Sequence, residues 1–316
     1  MSSTTDLENT TATASGVEHP ERSPEAVAVE PELPSLLAYP ATYALIGVNL
    51  LVYALMFRLG PVPALLRSSM LHAGGREIGF LATSIFTEPF SERVLTLFGS
   101  CIPSEILAHG QWWRLVTSMF VHVTLLHLVL NMWCLWNLGL FGERLLGRAG
   151  LIAVYLLTGA AGMLVSLILS LFTGDLYLTV AGASGAVFGL AGILIVLLSN
   201  RKLAAPWEEL RSLRLQVVFF ALANLLLGML PTLLPRIFPG LARLLPFDMT
   251  RLPRVDNSAH LGGFLCGLAL GVPLFPRMTS GRSSYRTRQA FVFTSAGLML
   301  LLIGYAVAGY ARAVQR

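Results

Sequence analysis

The chain has 316 residues, of which 55% are hydrophobic and only 12% are charged. Its mean hydropathy is +0.69, whereas soluble globular domains carry a charge on about a quarter of their residues. This composition excludes an ordinary soluble domain and indicates an integral membrane protein. The net charge is +5, although residues 1–32 carry −6, so the rest of the chain carries +11. Because the basic residues lie between apolar runs, where they fix topology, they do not indicate a nucleic-acid partner.

The first 36 residues are rich in Ser, Thr, Glu, Pro and Ala. Since they are too polar to form a core, we predict a disordered acidic tail over 1–36. They lack the basic start and short apolar region of a signal peptide, and their acidic residues argue against a transit peptide.

Charged residues divide the remaining chain into seven uncharged stretches, each long enough to cross a hydrocarbon core of about 30 Å as a helix of about 20 residues. The predicted spans are 33–57, 115–142, 149–174, 176–200, 215–235, 257–276 and 289–311. The start of the fourth is the least defined, because Gly174, Asp175 and Gly182 all permit a turn. We therefore predict an all-α polytopic membrane protein with seven spans.

Three predicted connections are short and basic: 143–148, 201–214 and 277–288. They hold ten Lys or Arg in 32 residues and, by parity, lie on one face of the membrane. Their high density of positive charge favours the cytoplasmic side, which places the amino terminus inside and the carboxyl terminus outside.

The first connection, 58–114, is too long for a plain connector. It contains apolar pieces too short to span a bilayer, such as 62–66 and 78–86, and it ends in Trp113 and Arg114. These features fit a segment in the membrane interface, where Trp anchors and Arg extends its charge towards water. An aromatic belt at the start of a helix fits the same residues.

The second predicted span carries polar side chains that are costly inside a membrane and that by default face the bundle interior. His127 and Asn131 are four residues apart and share one helix face, whereas His122 lies about 140° round from His127. This spacing is poor for zinc, and three cysteines, Cys101, Cys134 and Cys266, indicate neither a disulfide framework nor a metal site. Interhelical hydrogen bonding is the alternative to a chemical role for His127 and Asn131.

Ser184 lies near the start of the fourth predicted span, with Gly182, Gly185 and Gly189 around it in sequence. Because glycine has no side chain, it allows another backbone to come close at its position. That backbone belongs either to a second helix, the ordinary use of small residues in membranes, or to a substrate approaching the hydroxyl.

His260 lies near the start of the sixth span, and Asp256 lies four residues before it. Gly263, Gly267 and Gly271 repeat every four residues, which predicts a glycine groove in which another helix can pack. By parity, His260 and Ser184 enter the membrane from the same face and therefore share a depth. His127 and Asn131 are expected at a comparable depth.

A hydroxyl, an imidazole and hydrogen-bond donors at one depth are what acyl transfer requires. We therefore predict a dyad of Ser184 as nucleophile and His260 as general base. The backbone N–H of Ser184 and the side chains of His127 and Asn131 would stabilise the oxyanion. Asp256 could reach back to His260, although an interfacial loop position is the simpler interpretation.

These residues resemble the rhomboid intramembrane serine proteases over roughly 40–275. The matching residues, in order, are Trp113, Arg114, His122, His127, Asn131, Gly142, Glu143, Arg144, Gly182, Ala183, Ser184, Gly185, Ala259, His260, Gly263 and Gly267. The resemblance implies a six-helix bundle that opens to water on the outer face, needs no cofactor and cleaves transmembrane protein substrates in or near the bilayer. It implies that Ser184 is the nucleophile, that His260 is the base and that His127 and Asn131 lie at the oxyanion site.

The same resemblance implies a six-span membrane domain over 37–276, followed by a basic loop and a seventh span over 277–316. The stretch 289–311 would be the seventh helix that some members carry. Phe188 stands where some members place a tyrosine on the histidine, and a phenylalanine can still stack there. Inactive relatives can carry proline before the serine, and because Ala183 stands there, we expect an active enzyme.

Two other functions fit the same residues. One is a catalytically silent module that binds membrane proteins for quality control. The other is a transporter that uses His122, His127 and His260 as a proton relay. For the protease we expect a bacterial cytoplasmic membrane, with the active site towards the outer face. The residues do not indicate an oligomeric state.

Overall fold

The computed structural model describes residues 38–59, 89–201, 206–238, 240, 255–275 and 282–314. Over these ranges the chain is helical, and its one extended pairing is an isolated antiparallel bridge between Cys101 and Val180. The helices are α1 (Pro40–Leu59), α2 (Glu92–Leu97), α3 (Pro103–His109), α4 (Arg114–Thr117), α5 (Leu125–Thr173), α6 (Ser184–Leu197), α7 (Trp207–Ile237), α8 (Asn257–Leu274) and α9 (Arg282–Val314), with a 3-10 turn at Ser118–Phe120. The predicted tail 1–36 and the apolar pieces 62–66 and 78–86 lie outside the described residues.

Within the described residues, four helices are long and apolar enough to cross a membrane: α1, α5, α7 over Trp207–Leu230, and α9 over Ser283–Ala313. Helix α6 is shorter but also apolar. The predicted class, an all-α integral membrane protein, is confirmed.

Helix α5 corrects the predicted boundary between the second and third spans. It runs for 49 residues and is interrupted only at Gly147, whose φ of 74° and ψ of 172° are not helical. Such a backbone conformation favours glycine. The predicted connection 143–148 therefore has wrong bounds: the helix continues to Leu146, and the break between the two predicted spans lies at Gly147.

Glu143 caused that error, because its charge was taken as the end of an apolar run. The side chain is buried and accepts hydrogen bonds from the backbone N–H groups of Ala41 (3.1 Å) and Thr42 (2.8 Å). It also accepts one from the Thr42 hydroxyl. These N–H groups lie in the first turn of α1, where a helix cannot pair them internally. Glu143 thus caps α1 from a neighbouring helix.

The predicted starts of the second and fourth spans are also wrong. Residues 115–124 form the end of α4, the 3-10 turn and a short extended segment, and α5 begins only after Thr124, whose hydroxyl accepts from the His127 N–H. Residues 178–182 are non-helical, and α6 begins at Ser184. Gly182 has a φ of +130°, which stops a helix from extending backwards through this position.

Helices α6 and α8 cross with their backbones in direct contact. A Cβ atom at Gly263 would lie 2.0 Å from the carbonyl oxygen of Gly185, and one at Gly267 would lie 2.0 Å from that of Gly189. A Cβ at Gly271 would lie 2.7 Å from the Val196 side chain. The glycine repeat of the sixth predicted span therefore faces the fourth. Most of α6 is buried, since α5 and α8 pack against it.

Helix α9 packs against α5 and α8 at the periphery. The buried Gln289 side chain donates a hydrogen bond to the Leu146 carbonyl at 2.9 Å, next to the break at Gly147. Much of the rest of α9 is exposed, including Phe291 and Tyr305 at 72% and 74%. Such exposed apolar side chains are expected on a helix that faces lipid.

Candidate active site

The side chains of Ser184 and His260 are in hydrogen-bond contact. The distance between Ser184 Oγ and His260 Nε2 is 2.7 Å. Ser184 is the first residue of α6, and His260 lies in the first turn of α8. Because the glycine contact between Gly185 and Gly263 fixes the helix crossing beside both residues, the contact between the hydroxyl and the imidazole depends on backbone packing.

Phe188 holds the plane of the imidazole. Its ring stacks on the His260 ring with the centroids 4.4 Å apart and the planes 13° from parallel. Phe188 is one helical turn after Ser184, so one face of α6 carries both the hydroxyl and the aromatic surface. His260 itself is only 6% exposed. The ring is thus confined between α6 and its own helix.

His127 lies against the backbone that leads into the nucleophile. A Cβ atom at Gly182 would lie 2.6 Å from Cε1 and 2.8 Å from Nε2 of the His127 ring. Glycine is therefore required at position 182 for two reasons: the φ is positive, and a side chain would overlap the His127 imidazole. Asn131 is buried, and its amide donates to the His127 carbonyl at 2.9 Å. This bond lies within α5, whereas the alternative prediction for Asn131 was a bond to another helix.

His122 occupies a position that the sequence interpretation did not anticipate. It lies in the extended segment before α5, so the predicted 140° separation on a shared helix does not apply. Its buried Nε2 accepts from the backbone N–H of Ala183 at 3.4 Å, and its ring centroid is 5.1 Å from that of His127. His122 thereby contacts the residue immediately before Ser184. Two signals were available in the sequence: its nearness to His127 and its place among the residues of the family resemblance.

Backbone N–H groups are available beside the hydroxyl. The first N–H groups of a helix have no partner within it, and in α6 these begin with Ser184 and Gly185. They point out of the helix start, where the helix dipole also favours negative charge. An oxygen that becomes negative next to Ser184 Oγ would meet these donors.

Trp113 and Arg114 differ from the prediction in one respect. Arg114 is only 4% exposed and does not extend its charge towards a membrane surface. Its Nη1 donates to the carbonyls of Thr96 (2.9 Å) and Ser100 (3.0 Å), and its Nε donates to Gln111. Trp113 is half exposed, and the Arg114 guanidinium lies 4.8 Å from the centre of its ring. Through these hydrogen bonds, Arg114 links the described part of the first loop to the start of α4.

Asp256 is the residue immediately before α8. Its Oδ1 accepts from the backbone N–H groups of Ser258 at 2.9 Å and Ala259 at 3.3 Å, and it also contacts the Ser258 hydroxyl. It is therefore the N-cap of the helix that carries His260. Within the ranges described, no group of three or more His, Cys, Asp or Glu side chains could hold a metal ion. The cysteines Cys101, Cys134 and Cys266 are free thiols.

Comparison with known proteins gives a consistent result. Residues 109–277 match the family model described as the Rhomboid domain. The chain is 31% identical over 175 residues to Rhomboid protease GluP of Bacillus subtilis, a match that covers 54% of this chain and 28% of that protein. It is 31% identical to RHOMBOID-like protein 2 of Arabidopsis thaliana, covering 69% and 63%. It is also 29% identical to Rhomboid protease AarA of Providencia stuartii, covering 60% and 65%.

Proposed function

Because the chain belongs to the rhomboid family, we propose that it is an intramembrane serine endopeptidase that cleaves transmembrane-anchored proteins in or near the bilayer. The observation that carries this proposal is the distance of 2.7 Å between Ser184 Oγ and His260 Nε2. A serine hydroxyl is a weak nucleophile unless a base within hydrogen-bond reach accepts its proton. Here the base is buried and held by the stacked ring of Phe188.

The reaction proceeds by acyl transfer. Ser184 Oγ attacks the carbonyl carbon of the scissile peptide bond while its proton passes to His260 Nε2, and the carbonyl oxygen becomes negative. When this tetrahedral species collapses, the C–N bond breaks and His260 returns the proton to the leaving amine. A water molecule then attacks the acyl-enzyme with the same base, releasing the new carboxyl terminus and restoring the Ser184 hydroxyl.

The oxyanion is stabilised by groups that converge on the start of α6. The backbone N–H of Ser184 is one donor, and the side chains of His127 and Asn131 are the others. His127 is supported in this role by its contact with Gly182, two residues before the nucleophile. Removing one such donor typically costs about 2.7–4 kcal/mol of transition-state stabilisation.

We further propose the finer architecture. The region 37–276 forms a six-helix membrane domain, with the break at Gly147 separating the second helix from the third. The region 277–316 supplies a basic loop and a seventh transmembrane helix, α9. The amino terminus is cytoplasmic, the active site opens towards the outer face, and the membrane is a bacterial cytoplasmic membrane. Transmembrane protein substrates and the bilayer are the partners, and the chemistry uses no cofactor.

A serine-directed fluorophosphonate probe tests the proposal on the purified full-length protein. We expect labelling of Ser184 in the wild type and its loss in both Ser184→Ala and His260→Ala, since the hydroxyl needs its base. Incubation with single-span membrane proteins, followed by mass spectrometry of the fragments, should give a cut in the wild type alone. Ser199→Ala is the matched control, because Ser199 lies just beyond the opposite end of α6 and is hydrogen-bonded to Arg214. It should be labelled and active.

Two results would reject this proposal. A folded wild type that neither reacts with the probe nor cuts any substrate would point to the silent binding module. Proton flux in liposomes that survives Ser184→Ala would point to the proton relay.

A further inference from the structure

Two buried polar atoms beside the proposed dyad have no hydrogen-bond partner in the part of the chain that the structure describes. One is Nδ1 of His260, the ring nitrogen that faces away from Ser184, and the other is Oδ2 of Asp256. A buried polar atom without a partner costs free energy, so such atoms are uncommon in folded proteins. Because neither atom has a partner among the described residues, no hydrogen bond joins the two, and the carboxylate can act on the ring only through its charge.

The local backbone keeps these groups close together. Asp256 is the N-cap of α8, and its own carbonyl accepts from the His260 N–H at 3.4 Å. Residues four apart at a helix start lie one turn apart on the same face. Oδ1 is occupied by the capping bonds to Ser258 and Ala259, which fixes the carboxylate and leaves Oδ2 as the free oxygen.

Among the described residues, few other charges compete at this position. The described ionisable side chains that act electrostatically on the His260 ring are Asp256, from its own helix start, and His127, from α5. From α6 the ring meets the neutral groups of Ser184 and Phe188. The charges of Asp256 and Arg114 both act on the Cys101 thiol. The Arg114 guanidinium, however, is engaged by the Thr96 and Ser100 carbonyls and the Gln111 side chain.

We infer that Asp256 is a positioning residue for His260: one carboxylate oxygen caps the helix that carries the ring, and the negative charge held there stabilises the imidazolium. This inference rests on the proposed function. When Ser184 transfers its proton to Nε2, the imidazole gains a positive charge in a buried site, and a fixed carboxylate one turn away offsets that charge.

The test separates the charge of Asp256 from its capping role. Asn is as good an N-cap as Asp, so Asp256→Asn keeps the cap and removes only the charge. We expect kcat to fall by about tenfold to a hundredfold with KM nearly unchanged, because the lost interaction acts only in the transition state. The acid limb of the kcat/KM profile should move to lower pH, because the protonated imidazole loses its nearby negative charge. The thermal midpoint should stay close to that of the wild type.

Asp175→Asn is the matched control, since it removes an exposed acidic side chain from the turn after α5. It should leave kcat and the pH profile unchanged. In a His260→Ala background, Asp256→Asn should cause no further loss, because it acts through the imidazole.

A wild type that cuts substrate while Asp256→Asn matches it in both kcat and pH profile would overturn this inference and leave the proposed function intact. A wild type that neither cuts nor reacts with the probe would instead reject the proposed function. If Asp256→Asn unfolds, Asp256→Ser, which also caps, replaces it with the same expectations.

Discussion

The contact between α6 and α8 and the contact between α9 and the rest of the molecule are built differently. At the α6–α8 contact, added Cβ atoms at Gly263 and Gly267 would lie 2.0 Å from backbone carbonyl oxygens. In α9, a Cβ at Gly304 would lie 3.5 Å from the Trp112 ring, and one at Gly309 would meet nothing within 4 Å. The first interface is made by backbone, which cannot rotate away, and the second by side chains with space around them.

This difference follows what each interface must hold. The α6–α8 contact sets the distance between the Ser184 hydroxyl and the His260 imidazole, and a misplacement of about 1 Å can cost about a hundredfold in rate. Helix α9 carries no residue of the proposed dyad. We therefore expect substitutions at the first interface to affect chemistry strongly and those at the second to affect stability mildly.

The largest effect is expected from Gly263→Ala. The new methyl group would overlap the Gly185 carbonyl, so α8 must move away from α6 and carry His260 with it. We expect cleavage to fall by about a hundredfold or more and the free energy of unfolding to drop by about 1–3 kcal/mol. Cleavage kinetics and thermal unfolding in detergent measure these effects.

Gly309→Ala is the control for Gly263→Ala, because it places the same methyl group on a helix with open space. It should keep full activity and gain up to about 1 kcal/mol of stability from helix propensity. A Gly263→Ala enzyme with normal activity would show that the two interfaces do not differ as described.

Gly182→Ala should have the next largest effect. Its φ of +130° disfavours any side chain, and a methyl group would overlap the His127 ring. We expect kcat to fall by about tenfold to a hundredfold, because both the start of α6 and an oxyanion donor shift. Steady-state cleavage at saturating substrate measures this loss.

Gly174→Ala separates backbone strain from the contact with His127. Gly174 has a φ of +76° but no atom within 4 Å of an added Cβ. It should lose about 1 kcal/mol of stability from strain and keep its kcat. Equal losses of kcat in the two variants would remove the specific role of the His127 contact.

Glu143→Gln should weaken stability and leave chemistry unchanged. The buried carboxylate accepts three hydrogen bonds from Ala41 and Thr42 at the start of α1, and hydrogen bonds to a charged group are worth about 1.5–3 kcal/mol each. We expect a loss of about that size in the free energy of unfolding, with kcat of the folded enzyme maintained. Glu209→Gln, an exposed position on α7, should be neutral. A large fall in kcat would show that α1 also influences the site.

The smallest effect is expected from Gln289→Leu at the α9 interface. The Gln289 side-chain amide donates a hydrogen bond to the Leu146 carbonyl, and neither group is charged. Losing this hydrogen bond should lower the free energy of unfolding by about 1 kcal/mol, which thermal unfolding measures. Activity should be unchanged. Gln216→Leu, on the exposed face of α7, provides the matched control and should be close to neutral. Loss of cleavage in Gln289→Leu would indicate that α9 influences the active site.

Much of the membrane character and several candidate residues could be predicted from the sequence, because hydropathy and helix parity are local properties. The long apolar stretches fall on helices, and Ser184 and His260 both lie at helix starts. Predicted helix boundaries were less accurate. A charge does not end a helix when another element satisfies it, as α1 satisfies Glu143. An uncharged stretch does not have to be helical, as residues 121–124 are not.

The site residues also divide into features that the sequence predicted and contacts that it did not. The repeat of Gly263, Gly267 and Gly271 indicated a groove, but not that its partner is the backbone of Gly185 and Gly189. His122 was counted as a helix residue although it contacts Ala183 from an extended segment. Arg114 was expected to extend towards the membrane surface. Its carbonyl partners, Thr96 at the end of α2 and Ser100 just after it, could not be identified from the sequence pattern.

By itself, the sequence determined that this chain resides in a membrane, roughly where its apolar helices lie, and which hydroxyl and imidazole enter from one face. Only the tertiary structure decided that these two groups touch, that Asp256 caps the helix that carries the imidazole, and that the break in α5 falls at Gly147 and not at Glu143. The physical reason is that composition and periodicity are carried by neighbouring residues, whereas a distance of 2.7 Å between residues 76 positions apart depends on how backbones pack.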